Sequence, residues 1–532
     1  MMKILVIAPK TGLIPVGLAY IVASMKRSGH HVDCINLNGS SRIDLRGKKY
    51  DFVATGGLSC HYLQIEEIIE DAMKNGLKVI LGGGIVTSEP ELMCSALRPE
   101  YAVIGEGEET IVELLRCIEE GRDPASVSGI CFFRNGAFVI TEQRKPVPDL
   151  DALPFPDFES LGYEGFLVTL KPSDEYSYDI FDHPRVYPVI TSRSCPFLCT
   201  FCYHPLGNKY RQRSISSVME ELMTAIPKYR INIVSIYDEL FSYNKERVNE
   251  FCRRFRDFAS NLSWEVKWTC QMRVDRLSED MLNVMKDAGC YLISFGFESY
   301  SRRILESMKK HITPDQIHRA VHLASDKGIS LQANFIFGDR AETLQTASET
   351  LEFWEEHADS GILLNFIFPC TGSAIYKHCV EKGIIKNKLD YIRNHFFDIY
   401  NITSLSGGEF YKLRVRVLKA GIKRYPRTIP FKVGADGIEA QCPHCRTIVS
   451  YGNFSVANDN NDMYMISPSL LFFNKMIYCR NCRRRFFASS RAYMVYARFI
   501  IFFLTPSMLG FLAKVKAVMS RVLFSERRNR KA

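Results

Sequence analysis

Short apolar runs alternate with amphipathic stretches along the N-terminal part of the chain. The runs have the length of buried strands and lie at residues 4–8, 32–37, 52–55 and 78–81. Between them, apolar positions recur at helical spacing, for example over residues 15–28 and 64–75. Because buried strands separated by helices are typical of doubly wound parallel sheets, this pattern predicts an α/β domain over residues 1–143.

The same alternation returns after residues 144–184, a proline-rich segment that is predicted to be a linker because proline continues neither helix nor strand. Six further apolar runs are predicted strands, at residues 188–191, 233–237, 265–269, 291–295, 331–337 and 362–368. Predicted helices between them include residues 216–226, 244–258, 278–288 and 313–327. Six consecutive strand–helix units predict a partial (β/α)6 barrel over residues 185–405, and a helical connector follows at residues 406–438.

Length and composition agree with several domains. With 532 residues, 46% of them hydrophobic and 24% charged, the chain is too long for one core and too apolar for a disordered protein. Its 17 cysteines are too dilute for a small disulfide scaffold. The first apolar run is too short for a signal peptide, so we expect a cytoplasmic chain whose thiols bind metal.

Glycines cluster at three predicted strand ends of the N-terminal domain. The clusters are Gly56-Gly57, Gly82-Gly83-Gly84 and Gly105-Glu106-Gly107. Doubly wound sheets bind ligands at the carboxyl ends of their strands, and glycine lets the backbone approach a bulky ligand. The clusters therefore predict a flavodoxin-like or Rossmann-like binding edge, with ordinary tight turns as the alternative.

Three cysteines follow the first strand of the predicted barrel on one loop. Cys195, Cys199 and Cys202 are spaced so that their thiolates can converge on one soft metal centre. A four-iron cluster with three protein ligands keeps one iron open for an amine and a carboxylate of a small molecule. The alternatives are a zinc ion whose fourth ligand is His204, or a loop of ordinary buried cysteines.

The Cys195-x3-Cys199-x2-Cys202 motif, with the aromatic Phe201 before the last cysteine, resembles the cluster motif of the radical S-adenosylmethionine (SAM) superfamily. The resemblance reaches from residue 1 to about residue 405, because the first domain is similar to a cobalamin-binding (B12-binding) module. It implies three cofactors: a [4Fe–4S] cluster, SAM and cobalamin.

The resemblance also implies which residues contact SAM. Asp238 and Glu239 end the second barrel strand and supply countercharge for the ammonium group. The other implied SAM contacts are Phe201, Arg273, Glu298, Gly338 and Glu342. Asp-Arg-Ala follows Gly338 where the family has x-Pro-Gly, so the detailed contacts of this loop stay open.

For cobalamin, the resemblance implies contacts from Ser59, Gly82, Gly83, Gly84, Gly105, Glu106 and Gly107. The loop after the first strand, residues 9–17, has no histidine where base-off cobalamin modules carry one. A weakly ligated lower cobalt face is therefore expected, and a structural role is favoured for His61 over cobalt ligation. A degenerate module that has lost cobalamin is an alternative.

Two Cys-x2-Cys knuckles lie beyond the barrel, within a predicted zinc-ribbon-like module at residues 439–487. They consist of Cys442, Cys445, Cys479 and Cys482. Four thiolates in two knuckles are typical of structural Zn²⁺, and the polar insert at residues 458–462 absorbs their unusual separation. A second iron–sulfur cluster is the main alternative.

Positive charge is concentrated at the C-terminal end. Residues 439–532 hold 15 Lys and Arg against 4 Asp and Glu, so they carry +11, and residues 1–438 carry −2 of the total of +9. This distribution excludes a globally basic nucleic-acid binder.

The tail, residues 488–532, combines apolar and basic character. Its uncharged run at residues 499–513 is too short to span a bilayer, and a basic cluster follows at residues 527–531. This order predicts an interfacial helix at an anionic membrane surface. The alternatives are a helix packed on the barrel with a disordered end, or an RNA contact that includes residues 483–485.

The resemblance implies a cytoplasmic enzyme, or one peripheral at the inner face of the membrane. It would methylate an unactivated carbon of a small-molecule or lipid-like substrate through a 5′-deoxyadenosyl radical and methylcobalamin. An external electron donor such as a flavodoxin or ferredoxin is an expected partner, and nucleic acid is not. The alternatives are a radical SAM cyclase, oxidase or rearrangement enzyme without methyl transfer, or a zinc-ribbon nucleic-acid or membrane adaptor with a vestigial barrel.

Overall fold

The apolar runs of the N-terminal domain become strands of one seven-stranded sheet in the computed structural model of the chain, which describes residues 1–38, 44–173, 178–434, 437–456 and 471–510. The elements are β1 (Lys3–Ala8), α1 (Val16–Arg27), β2 (His31–Asn36), β3 (Phe52–Gly56), α2 (Tyr62–Lys74), β4 (Val79–Gly82), α3 (Gly84–Ser88), α4 (Pro90–Leu97), β5 (Tyr101–Val103), α5 (Glu108–Glu119), β6 (Ile130–Arg134) and β7 (Ala137–Ile140). The sheet order is β2-β1-β3-β4-β5-β6-β7. The first five strands are parallel and β6 and β7 add an antiparallel hairpin, so this is the predicted doubly wound domain with an extended edge.

The described residues form two compact units. The first unit consists of Met1–Leu170, Arg185–Phe241 and Pro369–Asp398. The second consists of Lys171–Pro184, Ser242–Phe368 and the chain from Ile399 onward. The domain boundaries predicted from the sequence do not coincide with these segments.

The proline-rich segment is more than a linker. It contains α6 (Tyr163–Thr169), and its apolar side chains Val147, Leu150, Phe158 and Tyr163 are buried within the first unit. Proline excludes regular elements but does not prevent apolar side chains from packing, which is why composition alone suggested an extended connection.

The strand–helix alternation of the predicted barrel is present in full. Its elements are β8 (Val186–Val189), β9 (Ser192–Arg193), β10 (Arg211–Gln212), α7 (Ile215–Tyr229), β11 (Ile233–Ile236), α8 (Lys245–Ala259), β12 (Lys267–Met272), α9 (Glu279–Asp287), β13 (Cys290–Glu298), α10 (Arg302–Ser307), α11 (Pro314–Lys327), β14 (Ser330–Phe337), α12 (Leu344–Glu356) and β15 (Ile362–Phe366). In the first unit β8 and β11 pair in parallel, and in the second unit β12 to β15 form a parallel series. Every strand predicted from an apolar run therefore exists, with shifted ends.

The chain beyond residue 368 completes both units. Its elements are α13 (Ala374–Glu381), α14 (Lys388–Asp390), α15 (Gly407–Arg424), β16 (Arg427–Thr428), β17 (Lys432–Val433), β18 (Ile438–Gln441), β19 (Ile448–Tyr451), β20 (Asn474–Tyr478), β21 (Arg485–Ser489) and α16 (Arg491–Phe503). The pairs β18–β19 and β20–β21 are antiparallel and enclose a small core that includes Tyr451, Phe454 and Phe486. The insert at residues 458–462 and the basic cluster at residues 527–531 lie outside the described residues.

No helix in the described part of the chain is both long enough and apolar enough to cross a membrane.

Gly361 sets the entry into β15. Its φ is +80°, and a Cβ atom there would overlap the carbonyl oxygen of Leu331. Replacement by alanine adds this overlap to the strain of a left-handed backbone, so we expect Gly361→Ala to destabilise the second unit by at least about 2 kcal/mol. Thermal unfolding should register this as a lower Tm.

Gly383→Ala is the matched control, because Gly383 also has a positive φ of +66° but open space around it. It should lose only the strain, about 1 kcal/mol. Equal losses in the two variants would mean that the approach to Leu331 is unimportant.

Candidate functional site

The three cysteines of the motif lie on the loop between β9 and β10, which pair antiparallel. Ser194 starts the loop with a left-handed φ of +68°, and its buried hydroxyl donates to the carbonyl of Leu206 at 3.2 Å. A turn within the motif is closed by the Cys202 N–H, which donates to the Cys199 carbonyl at 3.1 Å. Cys199 is buried, whereas Cys195 and Cys202 are half-buried, so the loop presents thiols at an accessible surface.

Asp238 anchors the strand that leads into this loop. Its fully buried carboxylate accepts four hydrogen bonds, from the N–H and hydroxyl groups of Thr191 and Ser192. Burial raises the pKa of Asp238, although these hydrogen bonds oppose the rise. Because its lone pairs are taken, the structure does not offer Asp238 to an external ammonium group, contrary to the expectation from the sequence.

Glu239 points elsewhere and remains accessible, with 40% of its side chain exposed. The Nδ1 atom of His204 lies 3.8 Å from its carboxylate. Both ring nitrogens of His204 are buried without a hydrogen-bond partner. Since buried polar atoms normally have partners, His204 has hydrogen-bonding capacity left over beside Glu239 and the cysteine loop.

A buried charge network joins the sheet edge to the cysteine loop. The Glu106 carboxylate accepts from Arg193 at 3.0 Å and from Arg211 at 2.8 and 2.9 Å, and it also accepts from the Val147 N–H at 2.6 Å. Arg193 reaches Glu108 at 2.6 Å as well. Burial alone raises the pKa of Glu106, but the two guanidinium groups outweigh it, so this pKa lies below its usual value.

Glu106 was expected to contact cobalamin, and these bonds give it a different role. Its side chain is saturated by the two arginines that flank the cysteine loop, one on β9 and one on β10. This role was not predictable, because a buried carboxylate and a solvated one look alike in a single sequence. The network is therefore part of the scaffold that holds the loop.

The glycine clusters make the ends of β3 and β4 approach each other closely. A Cβ on Gly56 would lie 2.5 Å from the Gly82 carbonyl oxygen, and a Cβ on Gly83, whose φ is +88°, would lie 2.7 Å from the Gly57 oxygen. In contrast, nothing lies within 4 Å of a Cβ position on Gly82 or Gly105. Of the predicted cobalamin contacts, these two glycines leave room for a ligand, whereas Gly83 serves backbone packing.

Gly84 and Gly107 are also restricted by side chains of the protein. A Cβ on Gly84 would lie 2.8 Å from Leu58, and one on Gly107 would lie 2.8 Å from Ile21. The nearby His61 ring accepts the Leu58 N–H at 3.2 Å through Nδ1, which gives this histidine a structural role.

Two contacts bring chain segments far apart in sequence to this edge. Ser59, a predicted cobalamin contact, shares a buried hydrogen bond of 2.6 Å with Thr371. Tyr203, directly after the third cysteine, donates to the Gly84 carbonyl at 3.2 Å, and its ring fills the place of a side chain on Gly372. Sequence reasoning assigned no role to Tyr203 or Thr371, because each acts through a partner more than 100 residues away.

In the second unit, the predicted SAM residues Glu298 and Arg273 both contact one loop. Glu298 has a left-handed φ of +63°, and its carboxylate accepts from Lys310 at 2.6 Å. Arg273 donates to the carbonyl groups of Lys310 and His311 at 2.7 and 3.3 Å, and pairs with Asp275 at 2.9 Å. These bonds assign Arg273 a positioning role rather than a free guanidinium.

Glu342 closes the loop that follows β14. Its carboxylate accepts from the Gly338 N–H at 3.1 Å and from the Thr346 hydroxyl at 2.5 Å. Burial raises the pKa of Glu342 to about 7. Gly338 has a φ of +96°, a backbone conformation that requires glycine. The sequence departs from the family motif after this position but keeps the glycine itself. Phe201, the remaining predicted SAM contact, is half-buried in the cysteine loop of the first unit.

The four C-terminal cysteines meet as the knuckle spacing predicted, with their sulfur atoms within 4.8 Å of one another. The Sγ–Sγ distances are 3.7 Å for Cys442 and Cys482 and 3.6 Å for Cys445 and Cys479. Hydrogen bonds from Thr447 and Asn481 lower the pKa of Cys445 to about 5, which favours the thiolate that metals bind.

Removing Glu106 should destabilise the first unit. Glu106→Ala leaves the buried Arg211 without its carboxylate, and we expect a loss of about 3–5 kcal/mol in the free energy of unfolding. Urea unfolding followed by circular dichroism measures it. Glu120→Ala removes an exposed ion pair with Arg122 and should change stability by no more than about 1 kcal/mol. A Glu106→Ala variant as stable as Glu120→Ala would contradict the role given to the network.

Comparison with known proteins agrees with this geometry. The family model of the radical SAM superfamily matches residues 189–353, and that of the B12 binding domain matches residues 2–115. An uncharacterized methyltransferase of Pyrococcus horikoshii is 30% identical over 406 residues, which cover 72% of this chain and 84% of the relative.

Two further similarities concern proteins of named activity. The anaerobic magnesium-protoporphyrin IX monomethyl ester cyclase of Rubrivivax gelatinosus is 28% identical over 356 residues, 63% of this chain and 61% of the cyclase. The structure of TsrM, a radical SAM methyltransferase of Kitasatospora setae with cobalamin and a [4Fe–4S] cluster bound, has a similar fold, with a TM-score of 0.60 and 16% identity over 72% of this chain and 78% of TsrM. The resemblance inferred from the cysteine motif is thereby confirmed: the chain belongs to the radical SAM superfamily and carries an N-terminal B12-binding domain.

Proposed function

We propose that this radical SAM enzyme is a cobalamin-dependent methyltransferase that acts on an unactivated carbon of a small-molecule or lipid-like substrate. The observation that carries the proposal lies in the first unit, where Glu106 and Arg193 tie the edge of the B12-binding sheet to the strand that precedes the cysteine loop. An enzyme that passes a methyl group through cobalamin needs these two parts in a fixed relation. The Pyrococcus relative, named a methyltransferase, supports the same reaction.

The cofactors that go with these two domains are a [4Fe–4S] cluster, SAM and cobalamin. When bound, they supply one-electron chemistry at the cluster and a transferable methyl group on cobalt. The thiolates of Cys195, Cys199 and Cys202 would bind three irons. An external reductant, such as a flavodoxin or ferredoxin, would supply the electron.

The protein's own residues would bind and orient SAM. Glu239 supplies the countercharge for its ammonium group, because Glu239 keeps an exposed carboxylate while that of Asp238 is fully hydrogen-bonded. His204, whose ring nitrogens lack partners, would bind a polar group beside Glu239. In the second unit, Lys310 donates to the Glu298 carboxylate and holds it in one position.

The second candidate is a radical cyclase without methyl transfer, which the similarity to the Rubrivivax cyclase favours. Open space beside Gly82 and Gly105 serves either reaction, since both use the same sheet edge. The two reactions differ in where the methyl group of SAM goes, and this difference decides the experiment.

Anaerobically reconstituted enzyme should transfer label from methyl-labelled SAM to added cobalamin in the presence of a reductant. Cys199→Ala should lose the visible absorbance of the cluster and lower the transfer by at least about 100-fold, because two thiolates hold the irons poorly. Cys379→Ala is the control, since Cys379 is a buried cysteine of α13.

Chromatography of labelled cobalamin and of deoxyadenosine gives the readout. Deoxyadenosine without bound cobalamin or any methylated product would exclude the methyltransferase and favour the cyclase. Retention of the cluster by Cys199→Ala would overturn the ligand assignment.

We also propose that Cys442, Cys445, Cys479 and Cys482 bind a structural Zn²⁺. Thiolates at about 2.3 Å from a tetrahedral zinc are about 3.8 Å apart, close to the observed 3.6 and 3.7 Å. A four-iron cluster attaches each thiolate to a different iron and spreads the sulfur atoms further. The spacing therefore favours a single ion over a second cluster.

The location that we infer is the cytoplasm, with peripheral attachment to an anionic membrane surface through the tail. One side of α16 packs against α15 through Tyr493, Ala497 and Ile500. The rest of the helix leaves apolar side chains in solvent, among them Phe502 and Phe503, which are 75% and 61% exposed. Exposed phenylalanines on a helix that precedes a basic segment suit the interface of a bilayer.

Cosedimentation with vesicles tests this attachment. The full chain should bind vesicles that contain phosphatidylserine more tightly than purely zwitterionic ones, and Phe502→Asp should weaken the binding at least about tenfold because it removes an aromatic contact with the bilayer. Phe397→Asp, at an exposed phenylalanine of the first unit, should leave it unchanged. Binding that ignores both lipid charge and the Phe502 change would contradict the proposal.

A further inference from the structure

Three histidines meet on the surface of the second unit. His318 and His322 lie one turn apart on α11, and His357 follows directly after α12. Each offers a nitrogen, and these nitrogens all lie within 4.8 Å of one another. The Nε2 atoms of His318 and His322 are 3.1 Å apart.

The 3.1 Å separation between His318 and His322 is that of two ligands on one ion. With nitrogen ligands at about 2.0–2.1 Å, two nitrogens on a tetrahedral zinc are about 3.3 Å apart. The ring centroids are separated by 4.3, 6.0 and 5.8 Å, and the His357 ring stands at 82° and 86° to the other two. The rings thus surround a common point instead of stacking in a row.

The ring of His357 is also oriented as in known metal sites. Its Nδ1 atom lies 2.9 Å from the Phe353 carbonyl oxygen, which can only accept a hydrogen bond. Nδ1 therefore carries the proton, and the lone pair of Nε2 is left for a metal. Histidine ligands commonly donate their other N–H in this way, and the bond fixes both tautomer and orientation.

The surrounding charge suits a cation. Asp315 lies three residues before His318 on α11, and Glu356 directly precedes His357. Phe353 packs between Tyr300 and His357, at centroid distances of 3.9 and 4.3 Å, and so supports the ring from one side. The other side of the cluster is open, since His318 and His322 are exposed.

We propose that His318, His322 and His357 form a binding site for a divalent transition-metal ion, Zn²⁺ in the first instance, with water in the fourth position. Imidazole nitrogen suits zinc, copper and nickel and is a poor ligand for Mg²⁺ or Ca²⁺. The ion would clamp α11 to the end of α12 on the outer face of the parallel strands. The site is separate from the cysteine loop and from the four C-terminal cysteines, and it is independent of the proposed methyl transfer.

Equilibrium dialysis of the reconstituted holoenzyme against buffered Zn²⁺, followed by elemental analysis, tests the site. The wild type should take up two zinc ions per chain, one at the four cysteines and one at the histidines. His322→Ala and His357→Ala should each bind the second ion at least about tenfold more weakly, whereas His31→Ala, at an exposed histidine of the first unit, should bind both. Added Zn²⁺ should raise the Tm of the wild type by a few degrees and leave that of His322→Ala unchanged.

Several outcomes would overturn the proposal. Equal zinc uptake by the wild type and both histidine variants would show that the cluster does not bind the metal. A lower Tm for His322→Ala without zinc, combined with unchanged zinc binding, would assign the cluster to a hydrogen bond between His318 and His322. Loss of the second ion in His31→Ala would place it elsewhere. Cys442→Ser, which should lose only the first ion, distinguishes the two sites.

Discussion

The arrangement of the first unit depends on one buried carboxylate. Glu106 leaves the end of a strand in the B12-binding sheet and receives Arg193 and Arg211, the residues on either side of the cysteine loop. Such a network is stable only when every charge has its partner, because burying an unpaired ion costs far more free energy than burying an apolar side chain in its place. The loop, its two short strands and the sheet edge are consequently fixed together.

Close backbone packing imposes a second constraint on the same edge. Gly56 and Gly83 let the ends of β3 and β4 approach each other, and any larger side chain there would meet a carbonyl oxygen. Among the glycines of the three clusters, Gly82 and Gly105 retain open space. Glycines that look equivalent in sequence therefore divide into those that shape the edge and those that leave room beside it.

The sequence predicted the elements well and the roles of individual side chains less well. Apolar runs predicted β1 to β4, β8 and β11 to β15, because burial on two faces leaves a continuous hydrophobic signature, whereas β5 and the hairpin of β6 and β7 were not predicted. Asp238 and Glu239 illustrate the limit: they are adjacent in sequence, but Asp238 is buried and hydrogen-bonded whereas Glu239 is exposed, and the sequence does not tell which of the two is buried. The cysteine knuckles were predictable because their ligands are close in sequence, whereas His357 joins His318 and His322 only through the packing of two helices. Likewise, proline-rich composition gave no sign that Phe158 and Tyr163 would be core residues.

The return of residues 369–398 to the first unit has a consequence for synthesis. Thr371 bonds to Ser59, and the Ile375 N–H donates to the Thr200 carbonyl within the cysteine loop, at 3.0 Å. Thr371 and Ile375 leave the ribosome long after the cysteine loop, because the whole of the chain from Ser242 to Phe368 is made in between. The loop is therefore translated well before its surroundings exist, and its thiols stay incompletely enclosed until α13 has emerged. The final enclosure of the cysteine loop therefore depends on a segment that is synthesised only after the whole of Ser242–Phe368.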